Sequence, residues 1–282
     1  MKIEVSHYLL EPASLQRHPP RQGALLRFSF SNGTAGYADC HPWPELGDEH
    51  LETQLSLLAQ GKLTDLTARS LHFARIDAAA RAEGKLSLKG LAFPKSHWLV
   101  RGAESLTADL ITSLETSGFD TLKIKCGVDY RSTLERLEWL FGSSPLASFR
   151  LRFDFNEKLK PEQFEDFITR SSAWSGQIEF FEDPVPYDPV VWASFRKRYT
   201  VSLAADRQSP AALHHPESCD YLVIKPAIQS IDPFLGPERG KRLLVVTSYL
   251  DHPIGLLSAG YAAALAFSDQ PAAISRCGLL TH

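Results

Sequence analysis

Five short motifs put a lysine or a carboxylate at the end of an apolar strand, each about one strand-plus-helix unit after the last. They are Lys123-Ile124-Lys125, Asp154-Phe155-Asn156, Glu182-Asp183-Pro184, Asp206 and Lys225-Pro226. The intervals are 29 residues (125 to 154), 28 (154 to 182), 24 (182 to 206) and 19 (206 to 225). A parallel strand, its crossover helix and two loops consume about that much chain. Charged residues at the C-terminal ends of successive barrel strands converge on one mouth, where the active sites of such barrels lie. The spacing therefore predicts three acids and two amines facing one another across a single pocket.

The rest of the chain agrees with that architecture. From about His97 onward, strand candidates at 97–101, 119–125, 149–155, 177–182, 201–205, 220–225 and 243–248 alternate with helical stretches. Their Val, Ile, Leu and Phe content is that of parallel strands buried on both faces. A last short strand is expected at 272–276. Before residue 95 the pattern differs. Ile3–Leu10, Ala24–Phe30 and Gly36–Cys40 read as a meander with a hairpin signal at Ser31-Asn32-Gly33, followed by helices near 49–59 and 66–83. The expected fold is α/β: a modified (β/α) TIM-type barrel over residues 96–282, with an α+β capping domain over residues 1–95.

Composition excludes more than it identifies. The 282 residues are 44% hydrophobic, carry a formal charge of −3 and have a pI near 6.4. Nothing there argues for nucleic acid or an anionic membrane surface. No run of 18 apolar residues suggests a membrane span, and the N-terminal MKIEVSHYLLEP does not read as a signal peptide. Cys40, Cys126, Cys219 and Cys277 lie far apart with no CxxC pair, which suits free thiols in the cytoplasm. Cys126 reads as a small buried filler rather than a nucleophile, since no histidine is paired with it in sequence. A small molecule is the expected partner, and the chain acts as a monomer or homo-oligomer.

Asp154, Glu182 and Asp206 each end an apolar strand core. Any one of them alone reads as a helix N-cap or an ion-pair partner. Three in successive units would repel one another unless a cation sat between them. Hard oxygen donors without His or Cys point to Mg²⁺, with Mn²⁺ as the alternative. Lys123 and Lys125 flank Ile124, so they share one strand face, and that face is the barrel interior if Ile124 packs outward. Burial and neighbouring positive charge would lower a lysine's pKa and fit it for base catalysis. A metal that holds a carboxylate, with a lysine poised over the adjacent carbon, suits removal of a weakly acidic α-proton.

The order KxK, DxN, EDP, D and K behind an N-terminal α+β domain resembles the enolase superfamily, in particular its muconate-lactonising-enzyme-like subgroup. Within it, Leu151-Arg152-Phe153-Asp154-Phe155-Asn156, Val223-Ile224-Lys225-Pro226, the loop from Thr247-Ser248 to Gly255, and Cys277-Gly278-Leu279-Leu280-Thr281 resemble segments of the o-succinylbenzoate synthase family. Arg207-Gln208 stand where that family often has Glu-Ser. The resemblance implies that Lys125 is the general base and that Lys225 stabilises the developing charge. It implies that Asp154, Glu182 and Asp206 bind Mg²⁺, and that Lys123, Arg152, Asn156, Ser248 and Gly278 lie near a carboxylate substrate. The loop near Pro19–Gly23 would cap the mouth. The implied reaction is loss of water from 2-succinyl-6-hydroxy-2,4-cyclohexadiene-1-carboxylate to give o-succinylbenzoate in menaquinone biosynthesis. Two other readings compete. A racemase of N-acylamino acids or an epimerase of dipeptides needs the same lysines, and a silent barrel would serve as a binding scaffold. The intact lysines and acids count against the scaffold.

Overall fold

The computed structural model describes residues 1–11, 20–127, 129–143 and 145–280. Pro19 of the expected capping loop and Thr281 of the final motif lie outside them. By its packing the chain divides into two units. The first is Met1–Phe93 with Lys225–Ile231 and Val246–Asp269; the second is Pro94–Ile224, Asp232–Val245 and Gln270–His282. The first unit therefore takes in two segments that a contiguous boundary at residue 95 leaves out.

In the first unit β1 (Lys2–Leu10), β2 (Arg21–Ser29) and β3 (Ala35–Cys40) form an antiparallel sheet in that order. Alternation along β2 and β3 buries Ala24, Leu26, Phe28, Ala38 and Cys40 on one face. That face packs with residues of two helices, α1 (Leu51–Ala59) and α2 (Asp65–Ala82). The Thr64 hydroxyl caps α2 by accepting from Thr67 N. Gly36 permits the close approach of β3 to α2, since a Cβ there would fall 1.8 Å from the Ala74 carbonyl oxygen.

In the second unit the strands β4 (Trp98–Val100), β5 (Thr121–Lys125), β6 (Arg150–Asp154), β7 (Ile178–Glu182), β8 (Leu203–Ala205), β9 (Tyr221–Ile224) and β10 (Leu243–Val246) lie side by side in chain order. Every pair from β4 to β9 is parallel. The sheet curls until its ends meet through one more segment. Ile274 bridges Leu244 at one edge, and Cys277 bridges Ser96 at the other. Ser275 N donates to the Leu244 carbonyl and His97 N to the Cys277 carbonyl, both at 2.8 Å. The strand expected at 272–276 does not form: Pro271–Ala273 is a 3₁₀ turn, and the isolated bridges at Ile274 and Cys277 close the TIM-type barrel instead.

Helices α3 (Ala108–Thr116), α4 (Tyr130–Ser143), α5 (Pro161–Arg170), α6 (Pro189–Tyr199), α7 (Ser209–Leu213) and α8 (Asp232–Leu235) supply the crossovers. Between β9 and β10 the helical stretch is only the four residues of α8 and a 3₁₀ turn, because Gly236-Pro237 interrupts it. Alternation decides what each strand presents. Phe153 and Phe181 point outward into an aromatic cluster with Phe155, Phe164 and Phe167, whose ring centroids lie 5–6.5 Å apart. Phe180, Ala204, Val223 and Val245 pack together on the other strand face. Three of these stand two residues before Glu182, Asp206 and Lys225, so they form the apolar floor beneath the charged strand ends.

Candidate active site

Parallel register brings the motifs together. Lys125 pairs with Asp154 across β5 and β6, and Asp154 with Glu182 across β6 and β7. With side chains on alternate faces, Lys123, Lys125, Asp154 and Glu182 all project inward. Lys123 Nζ lies 3.0 Å from Asp154 Oδ2 and 2.5 Å from Glu182 Oε1. Lys125 Nζ donates to the same Asp154 oxygen. Lys123, Asp154 and Glu182 are buried, whereas the Lys125 side chain is 35% exposed. Asp206, just past β8, is close enough to act on Lys123 and Glu182 by charge.

Electrostatics follows from the count of charges. Burial alone would raise the Asp154 carboxyl, but Lys123 and Lys125 hold it well below the usual carboxylate range. Burial alone would lower the Lys123 ammonium, but Asp154, Glu182 and Asp206 raise it above its ordinary value. The lowering expected for an inward lysine is thus reversed at Lys123, because acids rather than amines surround it. Two ammoniums do not neutralise three carboxylates. The excess falls on Glu182, which burial and then Asp154 push up to about 8 despite Lys123.

This donor set suits a divalent cation. It is all hard oxygen, it carries excess negative charge, and Glu182 Oε2 is buried without a hydrogen-bond partner. As the side chains stand, Lys123 Nζ occupies the space between two of the acids. Among the described residues, no three His, Cys, Asp or Glu side chains are gathered closely enough to hold an ion. A cation there would compete with Lys123 for the same oxygens.

Two residues expected near substrate have other partners. Arg152 has no exposed surface. Its Nε donates to Glu179, its Nη1 to His97 Nδ1 and the Arg276 carbonyl, and its Nη2 to Ser275 Oγ. It lies two residues before Asp154, deeper in the barrel, with its guanidinium 4.7 Å from the Phe180 ring centroid. Burial, then Arg152 and Lys123, keep His97 well below the ordinary histidine range, so it is neutral and its Nδ1 accepts. Arg152 is therefore a packed interior cation with its donors already engaged. Asn156, with φ 53°, turns back on Asp154. Its Nδ2 donates to Asp154 Oδ1 at 2.6 Å, so that carboxylate is its partner. Ser248 and Gly278 are buried, and Lys225 immediately follows β9, where its carbonyl accepts from Ile228 N at 3.0 Å. Lys225 and Ser248 belong to the first packing unit, and Gly278 to the second. Cys126 is buried and its thiol is pushed up by that burial, as suits a filler.

Residues with no expected role also emerge. Asp183, the middle residue of the EDP motif, is buried, adopts φ 42°, and accepts backbone N–H groups from Asp206 and Arg207. In the first unit, Tyr8 Oη donates to Asp39 Oδ1 at 2.6 Å and lies 2.9 Å from His41 Nδ1. His252 N donates to Asp39 Oδ2 at 2.9 Å. A Cβ added to Gly255 would fall 2.3 Å from Asp251 Oδ2 and 2.8 Å from Asp39 Oδ2, so these two acids crowd one point. A cavity of about 20 Å³, room for about one water, opens beside them.

Residues 3–80 match the family described as the N-terminal domain of O-succinylbenzoate synthase. The whole chain is 33% identical, over 292 aligned positions, to an o-succinylbenzoate synthase of Bdellovibrio bacteriovorus, of which it covers 86%. Among solved structures, an L-Ala-D/L-Glu epimerase of Bacillus subtilis superposes with a TM-score of 0.78 at 18% identity, over 99% of this chain and 89% of that one. A dipeptide epimerase of Methylococcus capsulatus, complexed with Mg and a dipeptide, gives 0.76 at 18% over the same shares. An o-succinylbenzoate synthase of Thermosynechococcus elongatus with Mg in its active site gives 0.68 at 21%, over 98% and 92%. At such identities the structural matches speak for the fold.

Proposed function

The chain belongs to the o-succinylbenzoate synthase family of lyases, and on that premise we propose that it dehydrates 2-succinyl-6-hydroxy-2,4-cyclohexadiene-1-carboxylate to o-succinylbenzoate in menaquinone biosynthesis. The observation that carries this reading is the contact of Lys123 and Lys125 with Asp154 and Glu182 at the strand ends of one barrel. An amine held among carboxylates is the machinery for moving a proton beside a carboxylate.

In this reading Lys125 is the base. Its side chain is the more exposed of the two lysines, so a substrate reaches it first. It gives up its contact with Asp154, releases its ammonium proton to the solvent that reaches it, and as the amine takes the α-proton of the ring. It then returns that proton to the departing hydroxyl. One C–H and one C–O bond break, one C=C forms, and water leaves. Proton and hydroxyl lie on one face, so one lysine serves both steps. Lys225, immediately beyond β9, contributes a cation for the developing charge. Asp154, Glu182 and Asp206 would hold Mg²⁺, which when bound stabilises negative charge on the substrate carboxylate. Lys123 and Asn156 keep Asp154 ionised and oriented. Ser248 and Gly278 line the substrate. The four free cysteines support a reducing compartment, and we assign the enzyme to the cytoplasm.

The test is an absorbance assay of aromatisation with Mg²⁺, run beside Lys125→Ala. Turnover should fall by about 10²–10⁴-fold in the variant, the usual contribution of a positioned acid–base group. Near-native turnover would remove Lys125 from this role, and turnover indifferent to chelator would remove the metal. A second reading, dipeptide or N-acylamino acid epimerisation, is favoured by the fold shared with the two epimerases. Deuterium uptake from D₂O into a dipeptide, without aromatisation of the cyclohexadiene, would select it.

A further inference from the structure

We propose that Asp183 is a positioning residue of this site, its side chain holding the Asp206 loop and its backbone the Asp154 loop. The inference rests on the reading above, in which Asp154, Glu182 and Asp206 hold Mg²⁺.

The three acids come from three strand ends, and a strand end fixes only the direction of its own side chain. Something must fix the loops relative to one another. Asp183 does so with every polar atom it has. Its Oδ1 accepts from Asp206 N at 3.0 Å and its Oδ2 from Arg207 N at 3.1 Å. Its backbone N donates to the Ala204 carbonyl at 3.1 Å, which ties it to the strand that precedes Asp206. Its carbonyl accepts from Glu157 N at 2.6 Å, three residues after Asp154. On either side, Phe155 N donates to the Glu182 carbonyl at 3.1 Å and Leu159 N to the Pro184 carbonyl at 3.3 Å.

The backbone is shaped to this task. Asp183, Asn156 and Glu157 all have positive φ, at 42°, 53° and 61°. Three non-glycine residues in the left-handed region, all at two facing loops, is a concentration of strain that surrounding contacts must hold. A third buried carboxylate, beside Glu182 and near Asp154 and Asp206, is electrostatically unfavourable. Two backbone donors in fixed directions explain why an acid stands there: a carboxylate accepts both, whereas an amide offers one acceptor and turns a donor against the second N–H. Asp183 touches no reacting atom in this scheme. It acts through Asp206.

Asp183→Asn is the informative substitution, because asparagine tolerates positive φ and keeps the side-chain shape. Mg²⁺ is titrated by calorimetry into the substrate-free protein, and the melting midpoint is recorded in chelator. Asp183→Asn should bind Mg²⁺ about 10–100-fold more weakly, the usual consequence of disturbing a ligand's support. Because its effect runs through Asp206, the double variant Asp183→Asn/Asp206→Asn should match Asp206→Asn alone within about twofold. Wild-type affinity in Asp183→Asn, or losses that multiply in the double variant, would overturn the proposal while leaving the metal reading intact. Wild-type affinity in both Asp206→Asn and Asp154→Asn is a different signature: it would bring down the metal reading and this proposal with it. Hydrogen exchange on the unsubstituted chain tests the contacts directly. The Asp206 and Arg207 amides should be protected, and fast exchange of both would also overturn the assignment.

Discussion

The molecule buries carboxylates in two places and treats them differently. In the barrel, Asp154 and Glu182 receive Lys123 within ion-pair distance, and Lys125 adds a second cation to Asp154. In the first unit, Asp39 and Asp251 crowd one point, and their hydrogen-bond donors are neutral: the Tyr8 hydroxyl and the His252 amide on Asp39, and backbone amides on Asp251, with Arg21 acting on Asp251 by charge alone. Burial pushes both Asp39 and Asp251 up to about 7, while Asp154 is driven the other way. A hydrogen bond from a neutral group steadies a buried carboxylate less than an ammonium does. The first-unit pair reaches neutrality by holding protons. In the barrel the two lysines relieve that pressure at Asp154 alone, and it remains on Glu182 and Asp183, which are pushed up to about 8 and about 7.

Lys123→Ala should have the largest effect on stability. It leaves two buried acids with one partially exposed lysine, and uncompensated buried charge costs about 3–5 kcal/mol. Denaturant titration in chelator should show a larger loss at pH 8 than at pH 5, where Glu182, with its pKa near 8, takes up a proton. A loss of under 1 kcal/mol would mean the acids are already protonated, and the contrast between the two clusters would collapse.

Asp251→Asn should have the opposite sign. A carboxyl near 7 when folded and 3.8 when unfolded binds more protons in the folded state between those values. Stability from this group therefore falls as pH rises from about 4 to 7, and the loss persists above 7. The amide variant has nothing to ionise. Its melting midpoint should exceed the wild type's by a few degrees at pH 8, with the difference shrinking as pH is lowered to 4. A variant that is less stable at every pH would show that Asp251 is a needed acceptor instead.

Arg198→Ala calibrates the scale. Arg198 lies 3.0 Å from Glu165 but is 66% exposed, so water already screens the pair. Its loss should stay within about 0.5 kcal/mol. A larger change would mean that exposure is a poor guide to charge compensation in this chain.

The barrel was legible because its evidence is periodic. An apolar strand, a charged end and a fixed interval recur, and parallel register turns that interval into proximity without further information. Lys123, Lys125, Asp154 and Glu182 meet for this reason. What a strand end does not say is whether its side chain is already engaged. Arg152 and Asn156 stood in the expected motif, yet one is bound by Glu179 and Ser275 deep in the interior, and the other faces Asp154. Asp183 sat in plain view within EDP, but its purpose lies in the amides of residues 206 and 207, and amides leave no mark on a sequence. The Asp39 cluster was hidden by distance, since its partner His252 is 213 positions away. The acid in β3 and the loop before the last long helix (α9, Pro253–Asp269) carry no shared pattern.

Arg152 gives the barrel a stopper. Its guanidinium fills the axis below Asp154, braced by His97, Glu179 and Ser275, and none of it meets water. Isotope entering from heavy water thus finds that end closed, and of the two lysines it reaches Lys125, whose side chain is open to solvent.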